Sequence, residues 1–437
     1  MSPPHGPPPA AAGTAPAPPA RLLRNILGAS AGNFVEWFDW FAYASFAIYF
    51  SRAFFPAGDQ TAQLMNSAFV FAGGFLARPL GALLFGTYAD RAGRRAALTL
   101  SVALMCGGAL LIAVTPTGLG ALSPALLILA RLMQGLAVGG EYGASATYVS
   151  EMASRHRRGF WSGFLYVTLI GGQLAAMSLQ VILQRCLSEE AMYAWGWRIP
   201  FALGAALAVV VFWIRRNIDE TRFFTEERSA RGARGRPYAL LKEYPRETAI
   251  VFTLTAGGAV GFYTFAIYTQ KLLVNSAGMP KAVVAEIMTG VLATMIFFPP
   301  LVGWIADRVG HKRTMIVAFG TSALCAVPAL QALSTAQDPR LVYLLCVSVL
   351  FLLSGYYALS AVLKAELYPT HIRGLGVSLP YAIALAIFGG NAESAALYLK
   401  HIGMEAAYFW IVAALFACAF IAAALMPDTQ REGRLGE

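Results

Sequence analysis

The sequence GTYADRAGRR (86–95) returns in altered form as GWIADRVGHK (303–312), about half a chain further on. A second motif recurs at nearly the same separation, first as Glu151-x6-Arg158-Gly159 and then as Glu366-x6-Arg373-Gly374. Two independent motifs that recur at nearly one offset indicate that the chain consists of two related halves. Each copy follows an apolar run, so we interpret these segments as loops between hydrophobic helices.

The composition indicates that lipid surrounds most of the chain. Of the 437 residues, 57% are hydrophobic and only 13% are charged, whereas about 25% of the residues of a soluble domain are charged. Helices satisfy their own backbone hydrogen bonds in lipid, and each span needs about 20 residues. The sequence therefore predicts an all-α membrane protein with twelve transmembrane helices in two pseudo-symmetric six-helix bundles, at 26–50, 63–88, 96–115, 123–148, 160–184, 197–214, 249–274, 283–306, 314–333, 341–366, 375–399 and 406–426.

The order of apolar runs and polar loops sets the predicted domain boundaries. We expect the first bundle at 21–214 and the second at 248–427, joined by a cytoplasmic linker at 215–247. Residues 1–20 are rich in Pro and Ala, and we expect them to form a disordered cytoplasmic tail. Residues 428–437 are expected to form a second cytoplasmic tail.

The net charge of +10 admits two interpretations. A basic patch can bind nucleic acid, whereas basic loops on one side of a membrane follow the positive-inside rule. Most Lys and Arg residues fall in segments that share one side with both termini, including 91–95, 155–158, 215–246 and 308–313. We therefore predict a multi-pass protein of a bacterial inner (plasma) membrane, with both termini cytoplasmic and no nucleic-acid partner.

The sequence lacks the motifs of several other functional classes. It has no G-x-x-x-x-G-K-[ST] loop, so ATP is not the evident energy source. Its five Cys residues form no C-x-x-C pair, and its five His residues are scattered. We expect no metal site and no cofactor.

Several further stretches resemble a known family of transporters. The repeated loop of 86–95 is similar to the signature of the major facilitator superfamily, and GNFVEWFD (32–39), RLMQG (131–135) through GGEYG (139–143) and WGWRIP (195–200) resemble its metabolite:proton symporter family. Within that family the chain looks most like the α-ketoglutarate permeases, in 166–176, 262–279, 363–369 and 386–410.

The resemblance implies a secondary active transporter and not an enzyme. Two halves would rock around a central site and bring α-ketoglutarate, or a related di- or tricarboxylate, into the cell together with protons. The implied partners are a small organic anion, the proton and the lipid bilayer, and we expect the monomer to be functional. Related members carry citrate, shikimate, proline or betaine, and a transporter-like sensor without flux is a further alternative.

Acidic side chains within the predicted spans are the candidates for proton coupling. Asn33, Glu36 and Asp39 share a sector about 120° wide on the first helix, and Tyr43 falls inside the same sector. Ionisable groups at this depth are costly and usually functional. We assign Glu36, Asp39 and Glu141 to proton coupling; the alternatives are a structural hydrogen-bond cluster on the first helix and, for Glu141, a gating ion pair.

Two arginines lie within apolar runs and are candidates to bind an anionic substrate. Arg131 and Arg78 would grip a carboxylate through paired N–H donors, or they would only neutralise the buried acids. Polar residues in the stretches that resemble the α-ketoglutarate permeases complete the predicted substrate site: Asn33, Tyr43, Gln173, Tyr263, Tyr268, Gln270, Lys271 and Asn391.

The remaining charged residues are predicted to control access. Lys271 and Glu393 would pair at the outer gate, whereas Lys364 would either snorkel to the surface or belong to the inner gate. The resemblance implies that the repeated loops lock and release the inner gate, and the predicted gating residues are Asp90, Arg91, Arg94, Arg95, Glu151, Arg158, Asp307, Arg308, Lys364, Glu366, Arg373 and Glu393.

Overall fold

A computed structural model describes residues 19–56, 58–92, 94–139, 157–216 and 237–432. Within these ranges the regular elements are helices. The membrane helices, numbered in chain order, are α1 (Pro19–Phe54), α2 (Gln60–Ala92), α3 (Arg94–Val114), α4 (Leu122–Val138), α5 (Arg158–Cys186), α6 (Ile199–Arg216), α7 (Pro245–Asn275), α8 (Lys281–Val309), α9 (His311–Thr335), α10 (Pro339–Leu367), α11 (Thr370–Ala384 continued by Ala392–His401) and α12 (Glu405–Leu425).

The helices have the length and composition of membrane spans. Among the described residues, eight helices are long and apolar enough to cross a membrane, and α3, α4 and α6 contain shorter apolar helices. The remaining helix, α1, contains the acidic residues Glu36 and Asp39. Short helices at Glu189–Ala194, Pro237–Glu243 and Thr429–Glu432 lie between or after the spans.

Local sequence explains where several helices begin. Pro245 and Pro339 lie in the first turns of α7 and α10, where the backbone N–H that proline lacks would have no acceptor within the helix. The side chain of Asp338 accepts a hydrogen bond from the N–H of Arg340 at 2.9 Å and so caps α10. Gly310, with φ of 112°, adopts a backbone conformation that favours glycine and separates α8 from α9.

Helix packing distinguishes two groups of helices and the contacts between them. In the first group α1 packs on α5 and α6, and α4 packs on α2 and α3; in the second, α12 packs on α7 and α9, and α10 packs on α9. The groups meet where α5 contacts α8 and α10, and where α2 contacts α11. The predicted linker at 215–247 falls between the two groups in the sequence, and most of it lies outside the described residues, as does 140–156.

Two helices change their hydrogen-bond pattern near their centres. A π-helical segment at Tyr263–Tyr268 interrupts α7, and another at Leu385–Gly389 interrupts α11. Such segments are rare and often occur at functional sites, because they rotate the side chains that follow. Both segments belong to the second group and face the contact between the groups.

Close contact between α2 and α4 positions the buried arginines. A Cβ atom on Gly135 would overlap the carbonyl oxygen of Gly74, and one on Gly139 would overlap that of Arg78. Small residues allow membrane helices to approach to backbone contact. This approach places Arg78 of α2 and Arg131 of α4 beside the same part of α1.

We expect Gly135→Ala to destabilise the protein, because the added methyl group has no space against α2. Overpacking of this kind costs about 1–3 kcal/mol. Thermal unfolding of the purified protein in detergent should show an apparent Tm lower by several degrees. Gly73→Ala is the matched control, since a Cβ there meets nothing within 4 Å; equal Tm values for the two variants would contradict the packing described.

Candidate functional site

A small cavity of about 20 Å³ lies between the two groups of helices. This space suits about one water molecule and is far below the range of about 300–1,000 Å³ of small-molecule sites, so the helices must move apart to admit a substrate. Helices α1 and α5 contribute to it from one group and α7, α10 and α11 from the other. Aromatic rings dominate its wall: Trp37, Tyr166, Phe262, Tyr263, Tyr356 and Tyr381.

Two buried guanidinium groups contact one indole ring next to this cavity. The Cζ atom of Arg78 lies 4.0 Å from the ring centroid of Trp40, and that of Arg131 lies 4.1 Å from the same centroid. Arg78 also lies 5.5 Å from the ring of Trp37, which lines the cavity. Arg131 is fully buried and Arg78 is 5% exposed. Trp40 was not singled out from the sequence, because an aromatic residue in an apolar run is not unusual.

A glutamine connects Asp39, the candidate proton carrier, to Arg131, the candidate residue for substrate binding. Gln134 donates a hydrogen bond through Nε2 to Oδ2 of Asp39 and accepts one at Oε1 from Nη1 of Arg131, at 2.7 Å. Gln134 lies one helical turn after Arg131, so the two side chains share a face of α4. Sequence reasoning missed this residue, although it stands in the quoted motif RLMQG.

Several polar atoms at this centre have no hydrogen-bond partner among the described residues. They are Oδ1 of Asp39, Nε and Nη2 of Arg78, and Nε and Nη2 of Arg131. Buried polar atoms are nearly always hydrogen-bonded in folded proteins. Four free N–H-bearing nitrogens on two cations therefore favour an anionic ligand with several acceptor oxygens.

The acidic residue Glu36 is also buried, with 7% exposure, and it interacts electrostatically with Arg78. The hydroxyl of Tyr43 donates to the carbonyl oxygen of Ser67 at 3.0 Å, and its ring lies 4.5 Å from Cζ of Arg131. Tyr43 therefore contacts the cation through its ring, whereas its hydroxyl bonds to α2.

We define the far side as the face where α1 ends and the near side as the face where it begins. A far-side cluster joins the two groups of helices beyond this centre. Lys271 of α7 lies 3.3 Å from Oε1 of Glu393 on α11, and its ammonium group also donates to the carbonyl oxygen of Ala44 on α1. Both charged side chains are buried. The structure thus brings together the two residues predicted as an outer gate pair and joins them to the other group of helices.

Other predicted substrate residues have different surroundings. Gln173 and Gln270 connect the two groups, through bonds to Ala266 at 2.6 Å and Gln180 at 3.0 Å. Tyr263 lines the cavity. The two glutamines do not line it, and neither do Tyr268 and Asn391. The hydroxyl of Tyr268 donates to Glu405 at 3.4 Å, and the amide of Asn391 donates to carbonyl oxygens of its own helix at 3.1 Å.

A near-side cluster joins the start of α5 to the second group of helices. Asp307 accepts hydrogen bonds from the backbone N–H groups of Gly159, at 2.8 Å, and Phe160, at 3.0 Å. Arg158 lies 3.5 Å from Glu366. A carboxylate at a helix N-terminus is favoured by the free N–H groups and by the helix dipole.

His311 completes the near-side cluster and was missed in the sequence. Its Nε2 atom lies 3.4 Å from Asp307 and its Nδ1 atom 3.5 Å from Glu366. The residue occupies the position in the second repeated loop that Arg94 occupies in the first. The histidine in place of a basic arginine was the feature of the sequence that could have singled out His311.

Comparisons with known proteins identify the family. The profile described as "Sugar (and other) transporter" matches residues 25–236, and the profile of the Major Facilitator Superfamily matches residues 251–436. The alpha-ketoglutarate permease of Escherichia coli (strain K12) is 48% identical, over 93% of this chain and 94% of that protein. The citrate-proton symporter of Salmonella typhi is 32% identical, over 92% and 93% of the two chains.

The chain belongs to the major facilitator superfamily. The fold of this superfamily member is shared with the solved structure of the proton:xylose symporter XylE, with a TM-score of 0.75 at 18% identity over 95% of this chain and 98% of that one. The predictions of a twelve-helix membrane fold, of this superfamily and of a transporter instead of an enzyme are confirmed.

The environment of Lys364 differs from that of a lysine that snorkels to the membrane surface. The side chain is 2% exposed, and Nζ donates to the hydroxyl of Ser360 at 2.8 Å, one turn nearer to the middle of α10. Its ammonium group therefore points away from the near-side end of the helix, and the snorkelling alternative does not describe this structure.

The other predicted gating residues are described only in part. Arg373 donates to the carbonyl oxygens of Ala365, at 3.1 Å, and Tyr368, at 3.2 Å, and so fixes the end of α10. Arg308 is exposed and stacks on Trp304. The side chains of Asn33, Asp90, Arg91, Arg94 and Arg95, and the whole of Glu141 and Glu151, lie outside the described residues.

We expect Asp307→Ala to increase amide exchange at the start of α5. The substitution removes the acceptor of two backbone N–H groups, and bonds to a charged acceptor contribute about 1.5–3 kcal/mol each. Hydrogen–deuterium exchange of the peptide around Gly159 and Phe160 should therefore be faster by roughly tenfold or more. Arg308→Gln, at the exposed neighbouring position, is the control; unchanged protection in Asp307→Ala would disprove the contact.

Proposed function

We propose that this transporter is a proton-coupled symporter that brings α-ketoglutarate, or a related di- or tricarboxylate, into the cell. The observation that supports this most is the pair of buried arginines with unused N–H donors beside an aromatic cavity. The names of its relatives agree, since one is an alpha-ketoglutarate permease and another a citrate-proton symporter. We further propose a bacterial inner membrane, cytoplasmic termini on the near side and a functional monomer.

In the proposed coupling, the carboxylate of Asp39 and a carboxylate of the substrate compete for the positive charge of Arg131. With Asp39 ionised, Gln134 connects its charge to the guanidinium group and compensates part of it. When Asp39 takes up a proton, this compensation is lost and Arg131 attracts a substrate carboxylate more strongly. Because each binding event favours the other, proton and anion are bound together and released together.

A similar exchange is proposed for the second arginine. Glu36 and Arg78 interact electrostatically, so protonation of Glu36 would free Arg78 for a substrate carboxylate in the same way. Glu141, which lies outside the described residues, remains a predicted third acid. Both arginines are on the first group of helices, so binding of the anion starts on one half of the transporter.

Alternating access is proposed to depend on the two clusters that join the halves. Opening on the far side requires Lys271 to leave Ala44, and opening on the near side requires Asp307 to leave the first turn of α5. Arg158, Glu366 and Arg373 would act with Asp307, as would the loop of Asp90 and Arg91. In this structure both clusters are formed, as expected for a state in which the cavity is closed at both ends.

An osmolyte symporter is the second candidate, and the aromatic wall is the observation that favours it. Rings such as Trp37 and Tyr263 can stabilise a quaternary ammonium group through cation–π contacts. Such a ligand also has a carboxylate for Arg131. The two candidates differ in net charge, because the osmolyte is neutral and the dicarboxylate is an anion.

Uptake by proteoliposomes distinguishes the candidates. Labelled α-ketoglutarate should accumulate only when an inward proton gradient is imposed, and unlabelled citrate should compete more strongly than betaine or shikimate. Accumulation of betaine without accumulation of α-ketoglutarate would support the osmolyte symporter. Binding of a ligand with no flux of any of these compounds would indicate a sensor and contradict the proposal.

We expect Arg131→Lys to reduce α-ketoglutarate uptake by about tenfold or more, because lysine keeps the charge but loses the paired N–H donors. Initial rates in proteoliposomes measure this effect. Arg198→Lys is the matched control, since Arg198 lies at the far side against Trp197. Equal rates for Arg131→Lys and the wild type would exclude a paired contact between Arg131 and the substrate.

We expect Asp39→Asn to separate transport from its driving force. The neutral side chain resembles protonated Asp39, so exchange of internal for external α-ketoglutarate should continue while proton-driven accumulation is lost. Both assays use the same vesicles, and Asp59→Asn in the loop before α2 provides the control. Full accumulation by Asp39→Asn would show that another group carries the proton.

A further inference from the structure

A buried glycine of α6 lies directly against the candidate proton carrier. A Cβ atom on Gly204 would lie 2.9 Å from Oδ1 of Asp39, and its next nearest atoms, at 3.6 Å, would be Cβ and Cγ of the same aspartate. Glycine inside a helix is less favourable than alanine by about 1 kcal/mol. The space that Gly204 leaves for the carboxylate is a better reason for glycine at this position than helix stability.

The two oxygens of this carboxylate face different helices. Oδ2 accepts a hydrogen bond from Gln134 of α4, which itself accepts one from Arg131. Oδ1 has no hydrogen-bond partner among the described residues and faces α6 at Gly204. Asp39 therefore lies between α6 and α4, and one amide group separates its charge from the guanidinium group.

Helix α6 is held in place beside Asp39. The thiol of Cys106 on α3 donates a hydrogen bond to the carbonyl oxygen of Ala205 at 3.4 Å, and α3 packs along α6. A side chain at position 204 would therefore displace the aspartate and not the helix. Because Asp39 lies between α6 and α4, the displaced carboxylate would move toward Gln134 and Arg131.

The distance between Asp39 and Arg131 decides how strongly the two charges hold each other. Among the described residues, Arg131 on α4 and Cys106 on α3 are the titratable groups that interact electrostatically with Asp39, and only Arg131 is a cation. Attraction between opposite charges increases as they approach, and it favours the ionised carboxylate. A closer pair would therefore resist protonation of Asp39 and would also occupy Arg131 more fully.

We propose that Gly204 is a positioning residue for proton coupling. Because it has no side chain, Asp39 rests against α6 and stays one amide group away from Arg131. The attraction between the two charges is then weak enough for a proton to neutralise Asp39 and for a substrate carboxylate to take its place at Arg131. The inference rests on the proposed function, because it specifies what keeps the acid and the arginine exchangeable.

The test is the pH dependence of α-ketoglutarate binding to the purified wild type and to Gly204→Ala, over a range of pH in which the ligand stays a dianion. In the wild type the affinity should fall as Asp39 ionises. In Gly204→Ala this transition should move to lower pH by about one unit, so the dissociation constant above the transition should be about tenfold higher. At the lowest pH the two proteins should bind equally, because a protonated Asp39 does not compete for Arg131.

Two further variants separate positioning from a general loss of packing. The double variant Asp39→Asn/Gly204→Ala should bind like Asp39→Asn at every pH, because a neutral amide is not attracted to Arg131. Gly171→Ala in α5 is the matched control, since a Cβ there would meet only the ring of Phe34, at 3.6 Å, and it should keep the wild-type curve. The inference is overturned if Gly204→Ala keeps that curve, weakens binding equally at every pH, or weakens it in the Asp39→Asn background.

A second substitution covers the case in which Gly204→Ala does not fold. Asp39→Glu leaves Gly204 in place but extends the acid by one methylene group toward Arg131, so it should also move the transition to lower pH; no shift, or a shift to higher pH, overturns the inference. A wild type that binds no α-ketoglutarate, or binds it equally at every pH, would instead contradict the proposed function. If the wild type shows the transition and only the variants fail to move it, the proposed function is unaffected.

Discussion

Two guanidinium groups contact the ring of Trp40 in a part of the protein that lipid and other helices shield from water. Positive charges of this kind repel each other more strongly than in water, because the surrounding dielectric constant is low. The aromatic rings offset part of the cost through cation–π contacts, and Asp39 offsets another part through Gln134. In the proposed mechanism a substrate carboxylate supplies the remaining negative charge, so the stability of the empty centre, substrate binding and proton binding depend on one another.

The packing of α2 against α4 makes this arrangement possible, because backbone contact at Gly135 and Gly139 brings the two arginines together. The centre belongs to one half of the transporter, whereas Lys271, Asp307 and Lys364 belong to the other. Polar contacts between the halves lie on both sides of the cavity, at Lys271 and at Asp307, so the two sets can break separately. Such contacts suit a protein that opens toward one face at a time.

The sequence predicted the twelve spans, because runs of apolar residues are a strong and local signal. The structure also brings together charged residues that were singled out from the sequence, such as Lys271 with Glu393 and Arg158 with Glu366. Other features depend on how helices rotate against each other, which no single segment specifies. The bridging role of Gln134 and the direction of Lys364 are of this kind, and the π-helical segments in α7 and α11 have no reliable local signal.

Proton uptake on substrate binding tests most directly whether Asp39 and the substrate compete for Arg131. Purified transporter in weakly buffered detergent solution near neutral pH is mixed with α-ketoglutarate while an indicator dye records the pH of the medium. If binding of the anion favours protonation of Asp39, the medium becomes more alkaline in wild type and the change is much smaller in Asp39→Asn. Saturable binding with no change in the pH of the medium would contradict the account.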